Sequence, residues 1–351
     1  MSSSTAPVQT QTHYIPVRED WLARRAEPAL DPALPIIDPH HHLWDRPGWR
    51  YLLPELLADM AQGHSITGTV FVQCRAMHRA DGPEPFRPVG ETEFVNGIAA
   101  MSASGGYGEA RVAAGIVGHA DLMLGAAVED VLAAHIQAGG GRFRGIRHTS
   151  AWDADPAIMN PAYNPPREML LNGDFRQGFA CLAPLDLSFD AWLYHPQIAD
   201  LTALARTFPE TRIVLDHVGG PLGIHGYAGQ RDQVFADWRA AMAELATCPN
   251  VHVKLGGLGM RLGGFGFEEA ALPASSDTLA AAWKPWIDTA IELFGAARCM
   301  FESNFPVDKG SYGYGVFWNA CKKLAAGASA TERAALFHGT AARFYRLDAV
   351  P

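Results

Sequence analysis

Three consecutive histidines close a short apolar run, Ile36-Ile37-Asp38-Pro39-His40-His41-His42. On an extended strand residues two apart share a side, so His40 and His42 converge while His41 faces away. Two neutral imidazoles aimed at one point can hold a divalent metal or polarise an oxyanion. Other apolar runs also end in polar residues: Gln73, Arg147 with His148, His217, and Glu302 with Asn304. Arg147 has the fork geometry to grip a carboxylate through two parallel hydrogen bonds. Glu302 and Asn304 are two apart and so share a face; the first can carry a proton at neutral pH and the second cannot.

These residues need a scaffold that gathers strand ends. Apolar, β-branched runs fall near 34–38, 67–74, 112–117, 143–148, 187–193, 212–217, 251–255 and 299–306. Helical spacings lie between them, as in Gln230 to Thr247 with Phe235, Trp238, Met242 and Leu245 on one face. Eight strands alternating with helices, with polar punctuation at strand ends, indicate a single (β/α)8 TIM-type barrel with its site on the C-terminal face. Residues 1–33 read as an N-terminal arm and 34–351 as the barrel. The arm's start reads as disordered, with a short helix near Asp20 to Arg25. The alternative, a doubly wound sheet, lacks its glycine fingerprint, and neither a phosphate loop nor a Gly-x-Ser-x-Gly elbow is present.

A net charge of −9 argues against nucleic acid or an anionic membrane as partner, and leaves a small molecule. No run approaches membrane-span length, and the first residues lack a signal-peptide pattern. Five scattered cysteines read as reduced thiols, so a cytoplasmic location is expected. A homo-oligomer is compatible with all of this.

Ile37-Asp38-Pro39-His40-His41-His42-Leu43-Trp44, Leu215-Asp216-His217-Val218-Gly219 and Glu302-Ser303-Asn304-Phe305-Pro306 together resemble the amidohydrolase superfamily. The branch they are similar to holds the fuconolactonases and a pyrone-dicarboxylate lactonase; Phe71-Val72-Gln73, Gly90-Glu91-Thr92-Glu93 and Arg144-Gly145-Ile146-Arg147 match it too. The resemblance implies hydrolysis of a small polar or carboxylated lactone. It implies His40 and His42 as metal ligands or carbonyl polarisers, His217 beside them, and Gln73, Arg147 and His148 as substrate contacts. The cofactor it implies is one divalent metal, zinc or manganese, or none. No lysine on the fourth strand presents itself as a bridge between two metals. Where members usually carry an aspartate on the eighth strand, this chain has Asn304, and where they carry glycine it has Glu302. Glu302 is therefore expected to supply the missing carboxylate beside His40, His42 or a metal, as ligand, as a partner that holds a ligating histidine, or as a base with a raised pKa; Asp308 is the reserve. His195, at a helix start, reads as a surface residue. The alternatives are a metal-dependent decarboxylase of the same superfamily and a non-catalytic binding barrel. Specificity is expected in the loops at 75–92, 151–166 and 256–276.

Overall fold

The computed structural model describes residues 14–160, 162–347 and 350. Eight parallel strands follow in chain order around the sheet: β1 (Pro35–His41), β2 (Ser65–Val72), β3 (Arg111–Gly118), β4 (Phe143–Arg147), β5 (Ser188–Ala191), β6 (Ile213–Leu215), β7 (Val251–Leu255) and β8 (Cys299–Phe301). The segment after β8 returns to β1: Asn304 N donates to His40 O at 2.9 Å and His42 N to Phe305 O at 2.7 Å. This is a (β/α)8 barrel, as the alternation of apolar runs implied. β1 runs longer than expected and takes in His40 and His41, because the return segment bonds to His40 O and His42 N on either side of His41. The expected helix near Pro166 to Asn172 is only a 3-10 turn, Met169–Leu171.

Helices that cover the barrel carry apolar stripes onto it. In the helix Arg231–Ala246 the buried residues are Val234, Trp238, Met242 and Leu245, a spacing of three or four that presents one face to the sheet. The helix Ser276–Phe294 buries Leu279, Trp283, Trp286, Ile287 and Ala290 in the same way. Between them the core is continuous, and no helix among the described residues is long and apolar enough to cross a membrane.

The expected disordered start of the arm, residues 1–13, lies outside the described residues. From Tyr14 onward the arm is docked. Its helix Glu19–Leu22 is one turn long, and Arg18, Trp21, Arg24 and Arg25 donate to the carbonyls of Glu268, Ala270, Ala271 and Pro273. The arm thus pins the loop that follows β7.

Candidate active site

Backbone geometry brings the polar residues together before any side chain is considered. His217, Val218 and Asn304 all have left-handed backbones, with φ of 56°, 46° and 56°. Such conformations cost of order 1–3 kcal/mol each in non-glycine residues and gather at functional sites. Two glycines after β7 make the room. A Cβ on Gly256 would come within 2.1 Å of Glu302 O, and one on Gly257 within 2.4 Å of the His217 ring. Asp38 ties β1 to the β8 exit, accepting from Ser303 N (3.0 Å), Ser303 Oγ (2.6 Å) and Tyr314 OH (2.9 Å).

Glu302 stands at the centre and is wholly buried. Its Oε1 accepts from His217 N at 2.9 Å and His217 Nδ1 at 2.7 Å, while Oε2 lies 2.7 Å from His40 Nδ1. Burial alone would raise its pKa, but His217 and His40 hold the carboxyl well below the usual range. The expected raised pKa is therefore overturned: two imidazoles and a backbone N–H all stabilise the charged form. The His217 ring keeps its Nε2 for the cleft it lines, with Trp192 packed on it at 4.7 Å.

His40 is flanked at both ring nitrogens: Arg147 Nη1 lies 3.2 Å from Nε2, while Lys254 Nζ at 3.1 Å and Glu302 Oε2 at 2.7 Å both approach Nδ1. Burial first, and then the Lys254 ammonium, push the pKa of His40 down to about 4. His42 donates from Nδ1 to Val72 O at 2.7 Å, and its Nε2 lies 3.3 Å from Asn304 Oδ1. Asn304 Nδ2 in turn donates to Asp308 Oδ1 at 2.8 Å. Burial lifts Asp308 to about 6, against hydrogen bonds from Tyr312 OH and Gly259 N. His41 turns the other way as its strand position requires, its Nε2 2.8 Å from Thr69 Oγ1.

Below the histidines lies a buried ion cluster. Lys254, wholly buried on β7, has its ammonium 2.7 Å from Asp190 Oδ2 and 3.1 Å from Asp216 Oδ1. Arg147 Nη1 lies 3.5 Å from Asp216 Oδ2, and Arg147 Nη2 donates to Gln73 O at 2.5 Å. Tyr345 OH adds a bond to Asp190 at 2.6 Å. Although burial opposes it, Lys254 and His40 keep Asp216 well below the carboxylate range.

The structure sorts the expected residues. His40, His42, His217, Glu302 and Asn304 lie together, with the His40 ring 5.0 Å from His42 and 4.6 Å from His217. Arg147 faces the same cleft, but Nη1 and Nη2 are committed to His40, Asp216 and the Gln73 carbonyl. The Gln73 amide is buried with neither atom hydrogen-bonded. His148 faces a neighbouring cavity with His119. His195 is buried in the turn before the helix Ile198–Thr207 rather than on the surface, with Leu222 N donating to its Nδ1 at 3.4 Å.

Lys254, Asp190 and Asp216 escaped sequence reasoning as site residues. Their signal was a charged side chain inside a short apolar strand, which needs a buried partner. Tyr14 was missed because the arm has no periodic pattern; it lines the cleft and packs on Trp44 and Trp49 at 6.0 and 5.6 Å.

Among the described residues one group of three, His40, Asp216 and His217, has ligand atoms within 4.8 Å of one another. This differs from the expected set of His40, His42 and Glu302. Two imidazoles and a carboxylate suit a divalent ion by type. The Lys254 ammonium, however, already sits 3.1 Å from both His40 Nδ1 and Asp216 Oδ1, and Glu302 holds His217 Nδ1. A divalent ion held by His40, Asp216 and His217 would therefore share two of its ligand atoms with one fixed ammonium, that of Lys254.

A barrel with strand-end histidines and an acid at the eighth strand defines the class, and the match is direct: the amidohydrolase family fits residues 37–347. The chain belongs to that family, and it is an enzyme of the hydrolase type. It is 35% identical over 334 residues to the uncharacterized protein y4mH of Sinorhizobium fredii, covering 89% of this chain and 98% of that one. It is 30% identical over 334 residues to an L-fucono-1,5-lactonase of Burkholderia multivorans, covering 89% and 96%. A crystal structure of a Burkholderia multivorans amidohydrolase with bound zinc superposes with a TM-score of 0.69 at 28% identity, covering 90% and 99%.

Proposed function

We propose that the protein is a lactonase that opens a small polar ring by histidine-assisted attack of water. The observation that carries this reading is the Glu302–His217 pair, with Nδ1 held by a buried carboxylate and Nε2 left to a cleft of about 60 Å3. That is the arrangement by which a carboxylate orients an imidazole and stabilises its protonated form. His217 Nε2 takes a proton from water as the water oxygen bonds to the lactone carbonyl carbon. The resulting oxyanion develops in the field of the Arg147 guanidinium, which lines the cleft as a fixed positive charge while its terminal nitrogens stay bonded within the ion cluster. Collapse breaks the ring C–O bond, and the departing alkoxide takes the proton from His217, leaving a hydroxy acid.

Glu302 and Lys254 act through others in this scheme. Glu302 fixes the His217 tautomer, and Lys254 together with Arg147 balances the charges of Asp190 and Asp216 beneath it. Tyr14, Trp192 and Met260 give the cleft apolar walls, suited to the C–H face of a sugar-like ring. No step passes through a metal.

The test is a panel of five- and six-membered lactones that includes L-fucono-1,5-lactone, assayed before and after dialysis against a chelator. Ring opening at an undiminished rate after dialysis is expected. Carbon dioxide release from an aromatic carboxylate without ring opening of any lactone would replace this reading with decarboxylation. A chelator-sensitive rate restored by zinc or manganese would place a metal in the step.

A further inference from the structure

We propose that a second cavity at the barrel mouth is a subsite for an oxyanion group, carboxylate or phosphate, presented to it on Arg75, Arg87 and His148. The cavity has a volume of about 820 Å3 and is lined by the exits of β2, β3 and β4. Tyr163 lines both this cavity and the catalytic cleft, and the Arg75 guanidinium lies 5.6 Å from its ring centroid. The two spaces therefore share a wall made of an aromatic ring and a cation.

The backbone that presents Arg75 is built for that purpose at a cost. Arg75 and Met77 are both left-handed, with φ of 63° and 51°. Such strain persists only where the surroundings enforce it. Here the enforcing group is Glu91, a wholly buried carboxyl whose Oε1 accepts from Cys74 N at 2.9 Å and Ala76 N at 2.8 Å. Its Oε2 has no hydrogen bond and lies 4.0 Å from His78 Nε2. The turn puts Cys74 and Ala76 into the core and leaves Arg75 and Met77 exposed.

Donors on the wall are oriented as well. His148 accepts from Leu122 N at Nδ1, so the neutral ring carries its proton on Nε2. Arg79 is neutralised by Glu93. Among the described residues Arg75 and Arg87 have no ion-pair partner. Glu84 and Asp121 also face the cavity; Asp121 Oδ1 accepts from Met123 N and lies 3.9 Å from His148 Nε2, so an incoming anion competes with it for that donor. Arg147, by contrast, has spent both terminal nitrogens inside the ion cluster. Anion reading thus moves from the barrel floor to this outer wall. That the oxyanion is an arm of the substrate rests on the lactonase reading; that the cavity binds one does not.

The full-length protein is titrated calorimetrically at low salt with glutarate and, separately, with inorganic phosphate. Saturable binding of at least one is expected, and which one binds tells carboxylate from phosphate. Replacing both arginines, Arg75→Met with Arg87→Met, should weaken that binding about tenfold or more, because charge-assisted bonds are lost. Glu84→Gln should tighten it. All three positions are exposed, so the variants should fold. No saturable heat with either anion, or a double variant that binds like the parent, overturns the proposal. Hydrolysis of an uncharged lactone by the parent protein reports on the reaction alone, so the two readings fail separately.

Discussion

Glu302 shows how one side chain sets the protonation of several others. In the ionised state it accepts from His217 twice and faces His40 Nδ1. Glu302→Gln keeps the shape but can turn an N–H toward His217, which would reverse that ring's tautomer. We expect kcat to fall by about 10² to 10⁴ with KM little changed, measured on folded protein, the range a positioned acid–base group supplies. Asp308→Asn tests the reserve carboxylate; a loss as large as that of Glu302→Gln would move the base to the β8 exit loop. The location of Glu302 was legible, since an acid replacing a glycine beside a histidine cluster must find a partner. Its charge state was not, because the sequence does not show that a left-handed turn aims the His217 N–H at it.

Strand β7 is one of eight apolar runs in the sequence, yet it carries the cation that holds the barrel floor together. Lys254 is flanked by Val253 and Leu255, and only the register of β5, β6 and β7 brings Asp190 and Asp216 to it. Lys254→Met would strand two buried carboxylates, and removing one partner of a buried pair costs on the order of 3–5 kcal/mol. The fall should appear in urea unfolding as a lower midpoint with an unchanged slope. A second element-scale expectation concerns Gly257, where even a methyl group would collide with the His217 ring. Gly257→Ala should lower both kcat and the melting temperature, since the backbone there is left-handed with φ of 68°. The strand pattern was legible from β-branched runs. The docked arm was not, because its four bonds to carbonyls of the β7 loop leave no trace in local periodicity. Tyr14→Ala, which removes a wall of the cleft, should raise KM more than it lowers kcat.

At the scale of the molecule, buried titratable groups pull stability in opposite directions below neutrality. Burial pushes His40, His64, His78, His135, His195 and His252 down to about 4 and His41 to about 3, from an ordinary 6.5. Between about 4 and 6.5 the unfolded chain binds more protons at these seven sites, so they make stability rise with pH. Burial also lifts Asp38, Asp190 and Asp308 to about 6 and Glu91 to about 7, and these four work the other way. Seven outweigh four. The melting temperature should therefore climb from pH 4.5 to 6.5, and a flat or falling profile would show that the imidazoles are protonated in the fold.

The arm that completes the mouth also sets a clock on the chain's birth. Arg18 reaches an acceptor 250 residues further along, and Trp21 one 249 residues along. At a synthesis rate of roughly 5–20 residues per second, the arm leaves the ribosome about 12–50 s before its dock exists. Tyr14 cannot form its wall of the cleft in that interval. A nascent chain can thus present His40, His42 and His217 while still lacking a closed reaction chamber.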